Sequence, residues 1–187
     1  MDAKLPYHEV IALLNATKKE LPQIKLHRLA LEQYTFSDRD FFFTICARNQ
    51  GQPFLNPVLA ECVIASLLWT RERYQWQLFC YCLMPDHLHF IIRLPHGERI
   101  TYSAGVRGQS LEGALEQIAR FKSYTTTQCW WKFGGHHKLW QKSSYDRVIR
   151  ENDNVEDAVF YVLNNPVRKG LVQYWEQYPY AAIVDQW

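Results

Sequence analysis

The chain has 187 residues, of which 48% are hydrophobic and 21% are charged. This composition supplies enough apolar material for the core of one globular domain and excludes a disordered, collagenous or coiled-coil protein. The net charge of +2 is too small to require a polyanionic partner by itself. The longest apolar runs fall well short of the ~20 residues that a membrane helix needs. We therefore expect a cytoplasmic protein that is not bound to a membrane.

Cysteines and aromatic residues narrow the class further. The 5 cysteines are odd in number and contain no Cys-x-x-Cys pair, which argues against a disulfide framework and against a structural zinc site. Aromatic residues make up 15% of the chain. Exposed rings of this kind stack on the bases of single-stranded nucleic acid, although packing in the core is the commoner role of any one ring.

The first elements follow from changes of pattern along the chain. Residues 1–33 combine a short amphipathic stretch with a break at Pro22, so we expect an N-terminal appendage followed by one domain over residues 34–187. The aromatic and β-branched run Phe41–Ala47 predicts the first strand. Apolar residues at close to a 3.6-residue period from Val58 to Leu67 then predict a helix packed on a sheet.

The middle of the chain predicts a hairpin and two more helices. Only four residues separate the apolar runs Trp76–Leu83 and Leu88–Leu94, which is too few for a crossover and predicts an antiparallel hairpin. A second helix should run from an N-cap at Ser110 to about Trp130. We expect the next strand at Tyr145–Ile149 and a last helix at Val155–Leu163, before Asn-Asn-Pro.

The order strand, helix, strand, strand, helix, strand is typical of a ferredoxin-like fold of the α/β (α+β) class. We therefore expect a two-layer sandwich: an antiparallel sheet with the helices on one face and the other face free for a ligand. A helical extension should follow at the C-terminus. This order is common, so it does not identify a function.

A histidine pair lies at the start of the second hairpin strand. Because side chains alternate along a strand, His87 and His89 should share one face, while Leu88 and Phe90 face the helices. Their Cβ atoms would then be ~7 Å apart, close enough for both rings to bind one divalent cation. The alternative is a pair of ordinary surface histidines.

A tyrosine and an amide one helical turn apart occur twice, as Tyr161 with Asn165 and as Tyr124 with Gln128. A phenol can attack phosphorus when a metal polarises the phosphate, and an amide oxygen can complete the metal shell. The alternatives are a half-buried helix tyrosine and, for Asn165, a helix C-cap. Spacing alone does not choose between the two pairs.

Several segments together resemble a known family, over about Phe41 to Tyr180. The segment Met84-Pro85-Asp86-His87-Leu88-His89 is similar to the His-hydrophobic-His motif of the HUH single-strand endonucleases and transposases. It most resembles the form of that motif in the single-tyrosine branch of these enzymes. Further segments follow in the order of the REP-associated tyrosine transposases: Phe121–Thr125, Leu139–Gln141, Tyr145–Arg150, Tyr161–Gly170 and Tyr178–Tyr180. Their joint occurrence makes the resemblance specific.

The resemblance implies an HUH endonuclease fold and metal-dependent cleavage and rejoining of single-stranded DNA near short palindromic hairpins. It implies that a tyrosine becomes linked covalently to a 5′-phosphate, and it points to Tyr161 as that nucleophile. By position, His87, His89 and Asn165 would bind Mg²⁺ or Mn²⁺. Tyr124 remains the second choice of nucleophile.

Basic and aromatic residues are the candidates for DNA contact, because arginine forks match phosphates and rings stack on unpaired bases. We expect single-stranded DNA with hairpins to contact Lys122, Arg147, Arg150, Arg168, Lys169 and Trp140, with Arg99, Arg107, Trp130 and Trp131 as further candidates. For each of them, a solvated charge or a ring packed in the core is the alternative.

Two other functions remain open. One is a domesticated protein that binds DNA hairpins without cutting them. The other is a zinc hydrolase that uses His87, His89 and one of His136 or His137, which would need a third convergent ligand and an open position for water. The sequence is compatible with a monomer or a homodimer.

Two positions depart from the expected pattern. Asp86 precedes the histidine pair where glutamate or asparagine would be at least as familiar in the family. Asn165 precedes a proline, which biases its backbone away from the helix. Neither departure removes a catalytic group.

Overall fold

The computed structural model describes residues 39–95, 114–133, 138–149 and 153–187. Its strands and helices are β1 (Asp40–Cys46), α1 (Pro57–Tyr74), β2 (Gln77–Leu83), β3 (His87–Arg93), α2 (Ala114–Phe133), β4 (Tyr145–Ile149), α3 (Val155–Leu163), α4 (Asn165–Arg168) and β5 (Ala181–Ile183). The predicted strands and helices are present wherever they fall within these ranges. The N-terminal appendage and the predicted cap Ser110 lie outside them.

The five strands form one antiparallel sheet in the order β4-β1-β3-β2-β5. The predicted hairpin of β2 and β3 is confirmed, and its turn is closed by the Met84 N–H, which donates to the His87 carbonyl at 2.8 Å. The strand β1 pairs with the central strand β3 so that Thr44 lies opposite His89 and Cys46 lies opposite His87. This register decides which residues stand beside the histidine pair.

One face of the sheet, which we call the closed face, is covered by α1 and α2. Its strands contribute Phe41, Phe43, Leu88, Phe90 and Ile92, and the helices contribute Val63, Leu67, Ile118 and Phe121. The Phe90 ring lies 5.5 Å from that of Phe43 and 6.2 Å from that of Phe121, measured between centroids. The predicted alternation along β3 is therefore confirmed.

The opposite face, which we call the site face, carries the histidines together with an apolar cluster. Phe42, Phe79 and Ile91 on the strands pack against Val159 and Val162 of α3. The prediction of helices on one face therefore holds for α1 and α2, but the expectation that the other face is free is wrong, because α3 covers part of it. Three large apolar side chains on that face need burial, and α3 supplies it.

The C-terminal extension is helical only in its first turn, α4, and in the 3-10 turn Trp175–Gln177. Its last segment is instead the strand β5, which pairs with β2 and covers an edge that would otherwise expose unpaired backbone groups. Asp185 ties this end down, since it accepts from the Arg71 guanidinium and, at 2.7 Å, from the Leu78 N–H. In the part of the chain that the structure describes, no helix combines the length and apolar character needed to cross a membrane.

Candidate active site

The imidazoles of His87 and His89 converge on the site face. Their Nε2 atoms lie 3.0 Å apart and their ring centroids 4.4 Å apart. Two nitrogens bound to one cation at about 2.1 Å and at a right angle are separated by about 3.0 Å. The pair therefore has the spacing of two ligands of one metal ion.

The far nitrogen of each ring is held by an oxygen. Nδ1 of His87 lies 2.6 Å from the Asp86 carboxylate, and Nδ1 of His89 is hydrogen-bonded to the Thr44 hydroxyl at 2.8 Å. Such bonds fix the tautomer and the orientation of metal-binding histidines. Asp86, a departure in the sequence, thus orients His87. Sequence reasoning missed Thr44, because only the register of β1 and β3 brings it there.

The environment of His89 favours its neutral form. The side chain is 6% exposed, and burial lowers its pKa well below the ordinary value, with further lowering by the charges of His87 and Arg168. The neutral imidazole is the form that binds a metal ion. His89 is therefore poised as a ligand at neutral pH.

The structure distinguishes the two candidate tyrosines. On α3, the ring of Tyr161 lies 6.4 Å from that of His89 and 6.1 Å from that of Phe42, both edge-on. On α2, the ring of Tyr124 instead stacks at 4.1 Å on Trp69 of α1, across the sheet from the histidines. Burial, and to a lesser degree Cys62, raises the pKa of Tyr124. Of the two, only Tyr161 lies beside the histidine pair.

Asn165 is held beside Tyr161 by its own amide nitrogen. Its side chain is buried, and Nδ2 donates to the carbonyls of Tyr161 at 2.9 Å and Val162 at 3.2 Å. This leaves the oxygen as the end of the amide that can bind a cation. Pro166 does not displace it, since the proline occupies the first turn of α4, where no N–H is required.

The described ranges supply no third histidine, cysteine or carboxylate ligand beside the histidine pair. They contain no group of three His, Cys, Asp or Glu side chains placed to hold a metal ion. A cation bound by His87 and His89 would therefore take its other ligands from groups of a different kind, such as an amide oxygen, water or phosphate. His136 and His137, the further ligands considered for a zinc hydrolase, lie outside the described residues.

The basic candidates for DNA contact differ in how they are held. Arg168 places its Cζ 4.6 Å above the centre of the Tyr161 ring. Arg147, which shares the site face with its pairing partner Phe42, forms an ion pair with Asp153 at 2.6 Å. Lys169 is exposed.

Lys122 is already engaged within the protein. Its ammonium group donates to the carbonyls of Lys142 at 3.1 Å and Ser143 at 3.3 Å, and burial lowers its pKa. It therefore fixes the segment that leads into β4. Three further candidates, Arg150, Arg99 and Arg107, lie outside the described residues.

The prediction that Trp140 stacks on bases is wrong. Its ring is 4% exposed and lies 5.1 Å from that of Phe54 and 6.1 Å from that of Phe121. The isolated bridge between Trp140 and Ala47 holds it at the edge of the core. A ring buried in this way is not available to a base, whereas the Trp131 ring is 84% exposed.

Comparison with known proteins supports one family. No protein-family model matches the chain. It is 24% identical over 149 residues to the REP-associated tyrosine transposase of Escherichia coli K12, covering 80% of this chain and 79% of that protein. A Haemophilus influenzae protein whose name places it in the same group is 21% identical over 142 residues, or 76% of this chain and 78% of the relative. The predicted resemblance to the REP-associated tyrosine transposases is confirmed.

The fold agrees with that of a solved REP-associated tyrosine transposase, described as bound to a REP hairpin. The TM-score is 0.61 at 20% sequence identity, over 84% of this chain and 82% of the other. The predicted fold class, an antiparallel sheet with helices in an α+β arrangement, is thereby confirmed.

Proposed function

We propose that this protein is a REP-associated tyrosine transposase that cleaves and rejoins single-stranded DNA containing hairpins. The observation that carries the proposal is the convergence of the two Nε2 atoms at 3.0 Å with the Tyr161 ring 6.4 Å from His89. The names of the relatives support the same class. In this proposal Tyr161 is the nucleophile and lies beside a cation site, an arrangement that serves phosphoryl transfer.

In this proposal His87, His89 and the Asn165 oxygen hold Mg²⁺ or Mn²⁺. Two imidazole nitrogens and one amide oxygen form a mixed ligand set that Mn²⁺ accepts, and Mg²⁺ commonly completes its shell with water and phosphate oxygens. When bound, the cation stabilises negative charge on the phosphoryl oxygens. Asp86 and Thr44 keep the two rings in the binding orientation.

The residues of the chain carry the covalent step. The Tyr161 oxygen attacks the phosphorus atom, and a bond from phosphorus to the phenol oxygen forms while the bond to the 3′-oxygen breaks. The leaving 3′-oxygen gains a proton, and the phenol proton passes to solvent. The product is a 5′-phosphotyrosine with a free 3′-hydroxyl, and attack by such a hydroxyl reverses the step without an external energy source.

The packing of α3 on the sheet restricts the position of the Tyr161 side chain. Val159 and Val162 of α3 are fully buried against the sheet, and Tyr161 on the same helix is half-buried. Phe42 and His89 meet the phenol ring edge-on. A ring held in this way loses little conformational freedom in reaching the transition state, which favours the reaction.

The test is covalent capture of labelled DNA. Wild type, Tyr161→Phe and Tyr124→Phe are each incubated with hairpin-containing single-stranded DNA and Mn²⁺ or Mg²⁺, and adducts are separated on a denaturing protein gel. We expect an adduct in the wild type and in Tyr124→Phe and none in Tyr161→Phe. Tyr124→Phe is the matched control because it removes the same hydroxyl on the closed face.

Each other outcome points elsewhere. An adduct lost only in Tyr124→Phe would contradict the assignment of the nucleophile. Tight binding without any adduct would favour a hairpin-binding protein that does not cut. Cleavage that survives in Tyr161→Phe would favour a metal-dependent hydrolase.

A further inference from the structure

We propose that Arg168 holds the phosphate that Tyr161 attacks, and that the same guanidinium braces the Tyr161 ring. This inference rests on the proposed function and adds a residue to its reaction centre. It separates Arg168 from the other basic residues, which would contact the DNA backbone away from the reacting phosphorus.

The first argument is position along the helix. Tyr161, Asn165 and Arg168 follow one another at intervals of four and three residues, so all three fall on one side of α3 and α4. The two helices are nearly continuous, because the Arg168 N–H donates to the Asn164 carbonyl at 2.9 Å. The guanidinium thus returns to within 4.6 Å of the Tyr161 ring centre.

The second argument is that the contact with Tyr161 leaves the hydrogen-bonding edge of the guanidinium available. A guanidinium stacks through its flat face, whereas its five N–H donors point outward in the plane. Arg168 is exposed, and within residues 39–95, 114–133, 138–149 and 153–187 its side chain forms no ion pair. Its fork can therefore donate to two phosphate oxygens while it stays on the ring.

The third argument is a contrast with the other arginines near the sheet. Arg147 is bound to Asp153 and Arg93 to Asp40, so part of each guanidinium is already neutralised. The Arg168 guanidinium instead lies over the Tyr161 ring, whose centre is 6.4 Å from that of the His89 ring. A cation over the ring that adjoins the histidine pair is well placed to meet a phosphate bound between the tyrosine and the histidines.

The experiment compares Arg168→Ala with Lys169→Ala and with Arg120→Ala, which removes an exposed arginine from α2. Two quantities are measured on one hairpin DNA: the dissociation constant, and the rate of covalent adduct formation at saturating DNA. We expect Arg168→Ala to slow adduct formation by about 10²- to 10³-fold, as for removal of one charge-stabilising donor. The loss of rate in Arg168→Ala should be at least about tenfold greater than the loss in Lys169→Ala. Arg120→Ala should form the adduct at the wild-type rate.

A substrate with an uncharged methylphosphonate at the scissile position completes a double-mutant cycle. If Arg168 holds that phosphate, the rate difference between wild type and Arg168→Ala should shrink about tenfold or more on this substrate. Arg168→Lys should be intermediate, because it keeps the charge and loses the planar fork.

The outcomes separate this inference from the proposed function. A wild type that forms no adduct overturns both. A wild type that reacts while Arg168→Ala reacts equally fast at saturating DNA overturns the inference alone. So does an Arg168→Ala defect of the same size on the charged and the uncharged substrate.

Discussion

The two faces of the sheet have different roles, although both carry clusters of buried aromatic and aliphatic side chains. The closed face is sealed by α1 and α2 over rings such as Phe90 and Phe43, and the Tyr124 ring of α2 stacks on the Trp69 ring of α1. The site face has a smaller apolar cluster under α3, and beside that cluster stand the polar side chains of Thr44 and His89.

The difference shows how one sheet can serve both stability and chemistry. Apolar burial scales with area, so the larger closed face supplies most of the stabilisation. The site face has the smaller apolar cluster, which packs against α3. Polar groups can then remain beside it because each is hydrogen-bonded, as Thr44 is to His89 at 2.8 Å. Four predictions test this division.

The largest expected effect is on stability, from Phe90→Ala on the closed face. The ring is fully buried against Phe43 and Phe121, so its loss should lower the free energy of unfolding by about 3–5 kcal/mol in denaturant titration. Phe90→Leu gives a milder reference. Trp131→Ala, which removes a ring that is 84% exposed, should change the free energy of unfolding by less than about 0.5 kcal/mol. A loss near 1 kcal/mol for Phe90→Ala would contradict the role given to the closed face.

The second effect is on metal binding at the site face. His89→Ala should weaken Mn²⁺ binding by about 100-fold or more, because it removes one of two converging nitrogens. Calorimetric titration measures the affinity without DNA. Tyr161→Phe keeps all the proposed ligands and should bind Mn²⁺ within about twofold of the wild type. Equal affinity in His89→Ala and the wild type would remove the histidine pair from the metal site.

The third effect is smaller and concerns the hydroxyl behind His89. Thr44→Val keeps the shape of the side chain and removes the hydrogen bond to Nδ1, so Mn²⁺ affinity should fall about tenfold. The matched control is Thr125→Val on α2, a buried threonine whose hydroxyl donates to the Phe121 carbonyl. That variant should retain the wild-type affinity for Mn²⁺. A similar fall in both variants would mean that the loss is a general effect on folding.

The smallest effect depends on pH and concerns Asp185, whose carboxylate binds Arg71 and the Leu78 N–H and so holds the C-terminal end of the chain on the domain. Burial would raise the pKa of Asp185, but the hydrogen bonds from Arg71 and the Leu78 N–H, with the Arg71 charge, lower it overall. A carboxylate with a lowered pKa in the folded state contributes stability above its unfolded pKa, and that contribution is lost as the pH falls through the folded pKa. Asp185→Asn should therefore cost about 1 kcal/mol at pH 7 and less in acid.

Thermal unfolding of Asp185→Asn and the wild type between about pH 2 and pH 7 measures this difference. Glu61→Gln, at an exposed position of α1, serves as the control. A stability difference between Asp185→Asn and the wild type that stays constant down to the lowest pH would show that the Asp185 charge is not what holds β5.

Local patterns in the sequence predicted much of the fold. The β4 and α3 bounds, Tyr145–Ile149 and Val155–Leu163, coincide with the predicted ones, because period-two and period-3.6 patterns are set by the segment itself. The β5 strand was missed, since Ala181–Ile183 is too short to carry a pattern and becomes a strand only by pairing with β2.

The candidate site divides in the same way. The sequence by itself determined that His87 and His89 share a face, because alternation along one strand requires it, and that Tyr161 and Asn165 lie four residues apart, the spacing of one helical turn. Only the tertiary structure decided that α3 packs on the face of the histidines, that Tyr124 lies across the sheet and that Trp140 is buried. The physical reason is the distance along the chain over which each signal acts. Spacing within one strand or helix decides which of its residues share a face, whereas sheet order and register bring together residues such as Thr44 and His89, 45 positions apart.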